Sequence, residues 1–430
     1  MKAHIVLQIE DHVAPFEISH WTTIRDNKAA AATTVHPKLD KIFAKYRLPV
    51  WITREYQPAK NTWSDDEIKS RLNRFYRVIL QEDSAIPADL IRDITLLPII
   101  KQVRMGTVGR SDLPALQPAQ MSADTGADSR RAIYLEEAQT YTRGQASVVV
   151  AVLDTGISQR HPELKSAMLP GYDFVDIIDG AGKFIGDFFG YDDNPDDEVG
   201  HGTHVAGIIA GKGMNMPVGV VPLCKLLPVR VLGAMQRGEK RVGAGLIDNI
   251  NVAVKWAVDQ GAEIINMSLG IRHTGGGLPH EEVVEYARRK GVTIVAASGN
   301  DGAEELYYPG ALPHVIAVGA FDPAGEVAGF STYGKQVSFV APGTNIYSSY
   351  LNEEYAFSSG TSHATPFVTG AVAMLKSYAR TRGARLSDAK VKHILKHTAD
   401  KVDTAFKHRK AGFGRINLLD AMRLLEHKLN

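Results

Sequence analysis

Cysteine is all but missing from this chain. Cys224 is the only one among 430 residues, so neither an intrachain disulfide nor a cysteine-built metal site can form, and the expected setting is reducing and cytoplasmic. An excess of charge of either sign is also lacking: 49 Lys and Arg stand against 48 Asp and Glu. That balance gives no footprint for a nucleic-acid partner or a membrane surface. Short basic runs such as Arg288-Arg289-Lys290 and Lys407-His408-Arg409-Lys410 read as solvated faces. No apolar stretch reaches the roughly 18–20 residues of a membrane span. The opening residues, broken by Gln8, Glu10 and Asp11, do not read as a signal peptide. Internal repeats and low-complexity tracts are absent too. What remains, 44% hydrophobic and 23% charged, is an ordinary soluble globular composition with length enough for two domains.

Organisation follows from changes in texture. Residues 1–48 alternate weakly, with a strand-like piece around Ile5–Ile9, and are set apart as an N-terminal extension of unassigned role. Over 49–105 a strand (Val50–Tyr56), a helix opened by Ser64 and Glu67 as a capping box, a strand (Tyr76–Gln81), a helix (Pro87–Leu97) and a strand (Ile99–Met105) describe a small α+β domain. Residues 106–130 have little apolar periodicity and read as a linker. From 131 to 430, short aliphatic runs alternate with helical patterns: Ser147–Leu153, Lys225–Leu232, Glu263–Leu269, Val292–Ala297 and His314–Ala320 as strands, Thr203–Ala210, Leu246–Asp259 and Glu281–Lys290 as helices. Near-continuous apolar strands are buried on both faces. The expected fold class is therefore α/β: three layers, a mostly parallel sheet between helices, with sites beyond the carboxyl ends of its strands.

Four positions carry chemistry. Ser362, in Ser359-Gly360-Thr361-Ser362-His363-Ala364, opens a long apolar helix; it is either a cap or a nucleophile beside free N–H donors. Asp154 follows the run Val148–Leu153, where it is either a turn residue or a buried acid needing a partner. His201 lies between two glycines at a helix start; His204, one turn on, packs inward, and a His201/His204 metal pair lacks a third ligand. Asn300 ends the strand Val292–Ala297 as a turn asparagine or an oxyanion donor.

Together, Asp154-Thr-Gly, His201-Gly-Thr-His, Asn300 and Gly-Thr-Ser362 resemble the subtilisin-like serine proteases, in that family's Asp…His…Ser order, over about 122–430. The resemblance implies a serine endopeptidase with Ser362 as nucleophile, His201 as general base, Asp154 as its orienting acid and Asn300 in the oxyanion hole. It implies substrate bound as an added strand between Ser268-Leu269-Gly270 and Gln236-Arg237-Gly238. Tyr307 would stand at the base of the primary pocket, making it shallow and suited to small or medium side chains, with Asp301 at the rim as a rival attraction for a basic one. No cofactor is needed for the chemistry.

Three departures from the family pattern bear on the site. His363 stands where Met is common and either packs behind the helix or perturbs the base. Lys212–Gly219 lacks the asparagine-rich loop that binds structural calcium in many relatives. The extra acidic stretch containing Asp192, Asp193, Asp196 and Asp197 offers oxygen ligands to calcium, against a plain solvated loop. By the same resemblance, residues 49–105 would be a propeptide and the chain's own N-terminal region an intramolecular inhibitor, with the linker cut between Met105 and Ala123. An adaptor role for the N-terminal region, a dedicated maturation protease or transpeptidase, and an idle binding protein of the same fold are the alternatives.

Overall fold

The computed structural model describes residues 2–23, 27–115, 117–118, 127–175, 194–237, 240–272 and 278–430. Its centre is a seven-stranded sheet in the order β17-β16-β14-β12-β7-β9-β8. These strands are β7 (Val149–Asp154), β8 (Tyr172–Asp173), β9 (Lys225–Arg230), β12 (Ile264–Met267), β14 (Thr293–Ala297), β16 (Val315–Phe321) and β17 (Val337–Pro342). Every neighbouring pair is parallel. Alternation at period two divides their side chains between two cores. Val150, Val152, Leu226, Ile264, Val295 and Val318 face α4 (His201–Ala210) and α7 (Thr361–Thr381); Ala151, Leu153, Leu227, Ile265 and Ile294 face α5 (Ile247–Asp259) and α6 (Glu281–Arg289). This is the expected three-layer α/β arrangement, and α7 is buried along nearly its whole length. The hairpin α8 (Asp388–Thr398), capped by Ser387, and α9 (Leu418–Leu429) close the first core.

The small domain begins at the start of the chain, which corrects the division at residue 49. Strand β1 (His4–Ile9) is central: it pairs antiparallel with both β3 (Phe75–Leu80) and β4 (Ile100–Met105), and β2 (Val50–Arg54) pairs with β3, for an order β2-β3-β1-β4. Ile5, Leu7 and Ile9 pack under α1 (Pro37–Lys45) and α3 (Ala88–Thr95). The 1–48 stretch therefore supplies a core strand and a core helix. The capping box of Ser64 and Glu67 is present, on a helix α2 (Asp65–Lys69) shorter than the periodicity suggests.

The opposite face of this sheet rests on α5 and α6 and is unusually charged. Arg104 lies 3.1 Å from Asp248 and 2.7 Å from Glu282. His4 lies 3.0 Å from Asp248, Arg77 donates to Asn249 at 3.0 Å, and Tyr56 donates to Glu282 at 2.8 Å. Lys255 on α5 pairs with Glu67 at 2.8 Å. Arg77 and Glu55, both fully buried, back this layer with a two-pronged pair at 2.6 and 2.7 Å. Burial alone would make these charges very costly; each is held by an opposite charge or a hydrogen bond.

Candidate active site

Three strand ends and two helix starts meet at the carboxyl edge of the sheet. Asp154 is the last residue of β7, and its Oδ1 lies 2.6 Å from His201 Nδ1 and accepts the Thr155 N–H at 2.8 Å. Both members of the pair are fully buried. Burial works against a charged imidazole, but the Asp154 carboxylate outweighs it by charge and hydrogen bond, with Asp197 adding to it, so the His201 pKa lies above its ordinary 6.5. His201 Nε2 has no partner among the described residues. Gly202 lets this helix start approach β7: a Cβ there would fall 2.0 Å from the Gly156 carbonyl oxygen.

Ser362 stands in the first turn of α7. Its hydroxyl donates to the Ser268 carbonyl at 3.0 Å, and Ser268 Oγ donates back to the Ser362 carbonyl at 2.7 Å. Asn300 is oriented by its acceptor end, since Oδ1 takes the Thr361 N–H at 2.8 Å and the Thr361 hydroxyl at 3.0 Å. Its Nδ2 donors are thereby left for another acceptor, in the same cleft that Thr361 and Ser362 line. Asp154, His201, Asn300 and Ser362 thus sit on adjoining elements of one edge.

His363 resolves toward packing. It is fully buried, with ring centroids 5.4 Å from His201 and 4.5 Å from His204, and both its nitrogens lack partners among the described residues. Burial, then the neighbouring imidazoles, pushes its pKa well below the ordinary value, so it sits beside the base as a neutral ring. His204 packs inward as its spacing suggests: Nε2 donates to the carbonyls of Ile346 and Ala356 at 3.1 and 3.0 Å, and burial pushes its pKa to about 3.

In the acidic stretch, Asp196 and Asp197 are engaged by donors of this chain. Asp192 and Asp193 lie outside the described residues. Asp196 Oδ1 accepts the Gln159 N–H at 3.0 Å. Asp197 is buried and spent on the entrance to α4: it accepts from Thr155 Oγ1, from the N–H groups of Val199, Gly200 and Thr203, and from Thr203 Oγ1, at 2.7–2.9 Å. It is an anchor for the helix that carries His201. Glu163 does something similar for the Lys212–Gly219 loop, accepting the N–H groups of Gly213, Met214 and Asn215 at 2.7, 2.9 and 2.8 Å. A loop that turns donors toward a carboxylate is arranged for an anion. Among the described residues no group of three or more His, Cys, Asp or Glu is placed to hold a metal.

Residues 107–111 line the same cleft as Thr361 and Ser362. Strand β5 (Val108–Asp112) pairs antiparallel with β11 (Lys240–Leu246), from Val108 on Leu246 to Asp112 on Val242. Gln236 and Arg237 lie one strand further out, on β10 (Gly233–Arg237), because a hairpin pairs them with Arg241 and Lys240; Gly238 lies outside the described residues. Leu269 and Gly270 line the same cleft as Gly109 and Arg110. Pro114 then touches the loop before Ser362: a Cβ at Gly360 would come 2.7 Å from Pro114 Cγ, so glycine is what lets the chain pass.

Tyr307 stands between the two strand ends and lines the cleft. A Cβ at Gly270 would meet its ring at 3.0 Å, and one at Gly299 at 2.6 Å. Its hydroxyl donates to Asp301 at 2.6 Å and accepts from Arg272 Nε at 2.9 Å. Arg272 also pairs with Asp301 directly, so that carboxylate is already engaged and the rival attraction for a basic side chain is weakened.

Comparison with known proteins agrees with this geometry. The sequence model of the subtilase family matches residues 145–414. The chain is 38% identical over 292 residues to a thermophilic serine proteinase of Bacillus sp. (strain AK1), covering 67% of this chain and 65% of that one, just under two thirds of its length. It is 42% identical to the major intracellular serine protease of Bacillus subtilis (strain 168), covering 54% of this chain and 69% of the relative. Among solved structures, the prenylagaramide maturation protease PagA superposes with a TM-score of 0.56 at 32% identity, covering 68% of this chain and 98% of that one. The chain belongs to the subtilase family of serine proteases.

Proposed function

We propose that this chain is a serine endopeptidase that cleaves peptide bonds through an acyl-enzyme on Ser362, with its own N-terminal region lying in the cleft as an intramolecular inhibitor. The observation that carries the catalytic part is the buried Asp154–His201 pair at 2.6 Å, with His201 Nε2 unpartnered among the described residues, beside the helix start bearing Ser362. In the reaction, Ser362 Oγ turns from the Ser268 carbonyl to His201 and bonds to the substrate carbonyl carbon while His201 Nε2 takes its proton. Asp154 holds Nδ1–H and stabilises the imidazolium. The carbonyl electrons move onto oxygen, where Asn300 Nδ2 and the Ser362 N–H donate to them. As they return, the C–N bond breaks and His201 protonates the leaving amine. Water then repeats the sequence on the ester and frees Ser362. Each step uses groups of this chain alone and no cofactor. Removing one oxyanion donor costs about 10²–10³ in kcat, a magnitude taken from subtilisin itself, a relative.

The pairing of β5 on β11 supports the inhibitor reading, because it takes the strand position that a substrate would need. The test compares the purified chain with Ser362→Ala by intact mass, casein cleavage and labelling with a fluorophosphonate. Labelling and self-cleavage between Met105 and Ala123 in the wild type only are expected; a wild type that does none of the three overturns the proposal. Tyr307 narrows the substrate to small or medium side chains before the cut. Efficient cleavage after Phe or Leu in a peptide library would refute that preference, and Tyr307→Gly should admit them. A dedicated maturation protease or transpeptidase is favoured by one observation, the likeness to a maturation protease. Failure to cut casein together with clean processing of a single precursor would select it. A reducing, cytoplasmic site of action is part of the same reading, and the one cysteine supports it.

A further inference from the structure

Charge is balanced over the whole chain but not within it. Residues 396–415 hold six Lys and Arg against two Asp, a surplus of four, where the full chain has 49 against 48. The stretch runs from the last turn of α8 toward α9 and lies along β17, the edge strand of the large sheet. It is firmly held there: the N–H groups of Phe413 and Ile416 donate to the Ser338 and Val340 carbonyls at 2.7 and 3.1 Å, and His408 and Gly412 exchange N–H bonds at 2.7 and 2.9 Å.

Its cations gather round aromatic rings. Phe406 and Phe413 meet edge to face with centroids 5.6 Å apart. The ammonium groups of Lys396, Lys401 and Lys407 stand 4.9, 5.9 and 5.2 Å from the Phe413 centroid. Lys410 lies 5.1 Å from the Tyr333 ring. The groups that hold these lysines are neutral: ring faces, and for Lys401 the carbonyls of Phe406 and Phe413 at 3.1 and 2.9 Å. Nearby carboxylates are already engaged, Asp388 by Lys392, Glu304 by Arg409 and Asp400 by Asn417. None of the four lysines therefore has a carboxylate partner among the described residues, whereas the surface cations Arg288 and Lys45 meet Glu285 and Asp93 at 2.7 and 2.6 Å. Rings and carbonyls fix an ammonium group without cancelling its charge, and like charges held this close repel. An anion relieves that repulsion.

The cluster adjoins the cleft. Arg409 pairs with Glu304 and its carbonyl accepts the Gly334 N–H at 3.2 Å, while Asp301, three residues before Glu304, lines the cleft beside Asn300. Resting on the protease reading above, we infer that the lysine–phenylalanine cluster is an exosite that docks an acidic segment of the polypeptide substrate. Lys396, Lys407 and Lys410 take its carboxylates, and Phe406, 59% exposed, takes an apolar side chain between them. A nucleic acid fits less well, because phosphate-backbone binding grows with each phosphate neutralised and this chain offers one short cluster on an otherwise balanced surface. Docking away from the reacting bond strengthens ground state and transition state alike, so it lowers KM and leaves kcat unchanged.

The test uses the purified full chain and quenched peptides that share one cleavable sequence. Each carries, through a Gly-Ser linker, a run of glutamates or a run of serines. The glutamate peptide is expected to show a KM at least about tenfold lower with equal kcat. That advantage should vanish at about 1 M salt, where the Debye length is about 3 Å. Equal KM for the two peptides, or an advantage that salt does not touch, overturns the inference. Combined Lys396→Glu, Lys407→Glu and Lys410→Glu should bring the ratio of the two kcat/KM values to one, whereas Arg288→Glu with Arg289→Glu, at another basic run, should keep it; the reverse result overturns the inference. A binding arm needs no catalysis. Ser362→Ala should bind a labelled polyglutamate peptide by fluorescence anisotropy, and a single-stranded oligonucleotide of equal charge that displaces it more readily than unlabelled polyglutamate would assign the surface to nucleic acid instead. A wild type that a fluorophosphonate does not label overturns the serine-protease reading, while the anisotropy still judges the surface.

Discussion

Two large surfaces hold this molecule together, and they differ in how much charge they bury. The contact of the seven-stranded sheet with α4 and α7 is aliphatic and aromatic, with Val150, Val152, Val295, Phe367 and Val372 all at zero exposure. The contact of the small domain with α5 and α6 also buries apolar groups, Val6, Leu72 and Phe75 among them, but adds Asp248, Asn249, Lys255 and Glu282 set against His4, Tyr56, Glu67, Arg77 and Arg104. Apolar burial is non-directional and survives small shifts; buried ion pairs hold only while every partner stays in place. The first surface suits a permanent core. The second suits a docking that is specific while intact and fails as a unit once one member is lost.

That contrast can be broken first at the catalytic pair, which lies on the permanent side. Asp154→Asn keeps the shape of the site but removes the carboxylate that lifts the His201 pKa, and a fall of about 10⁴ in kcat is expected, by the precedent of such triads. The sign of the pH effect follows. Catalysis needs neutral His201, whose folded pKa is raised, so the acid limb of the wild-type kcat profile should lie above 6.5. In the variant it should move to lower pH; a pH–rate series checks both.

Next in size is a matched pair of substitutions. Arg104→Ala leaves Asp248 and Glu282 facing each other without their shared cation, at a cost of about 3–5 kcal/mol. Phe367→Ala opens a cavity in the apolar core at a similar cost of about 3–5 kcal/mol. The same energy should appear in different places. Urea unfolding followed by hydrogen exchange is expected to show the small domain detaching early in the first variant, with the large sheet unchanged. In the second, the large sheet itself should lose stability. A lowered midpoint for the large sheet in Arg104→Ala would dissolve the distinction. The smallest effect belongs to the loop at Glu163. Glu163→Gln removes an ionised acceptor from three N–H groups and should lower stability by about 1–3 kcal/mol, while a chelator should leave the wild-type melting temperature unchanged.

Much of the large domain was legible because its signals are local. Aliphatic runs such as Val148–Leu153 and Val292–Ala297 lie within two residues of strands β7 and β14, and Ser387 caps its helix as its position suggests. Asp154, His201, Asn300 and Ser362 are each tied to a strand end or a helix start, and so could be placed by reading one element at a time. What failed is non-local. Strand β1 pairs with β4 nearly the length of the small domain away, and its alternation cannot announce that partner, so residues 1–48 read as an extension. Gln236 and Arg237 were misplaced by one strand because nothing in Lys240–Leu246 advertises a hairpin before pairing is seen. Asp197 stayed open between a calcium ligand and a solvated acid, because only folding brings its five donors to one carboxylate.

The pairing of β5 beside the cleft has a consequence beyond occupancy. Both ends of that segment are covalently fixed, one to β4 and the other to the chain entering the large domain, so its local concentration at Ser362 is set by tether length and not by how much protein is present. Short tethers of this kind correspond to effective concentrations in the millimolar range. On the inhibitor reading, dilution cannot relieve the blockade, and a competing peptide at micromolar concentration meets an occupant about a thousandfold in excess. A single cut in the segment would turn the same contacts into an ordinary bimolecular equilibrium, and the advantage would pass to substrate at once.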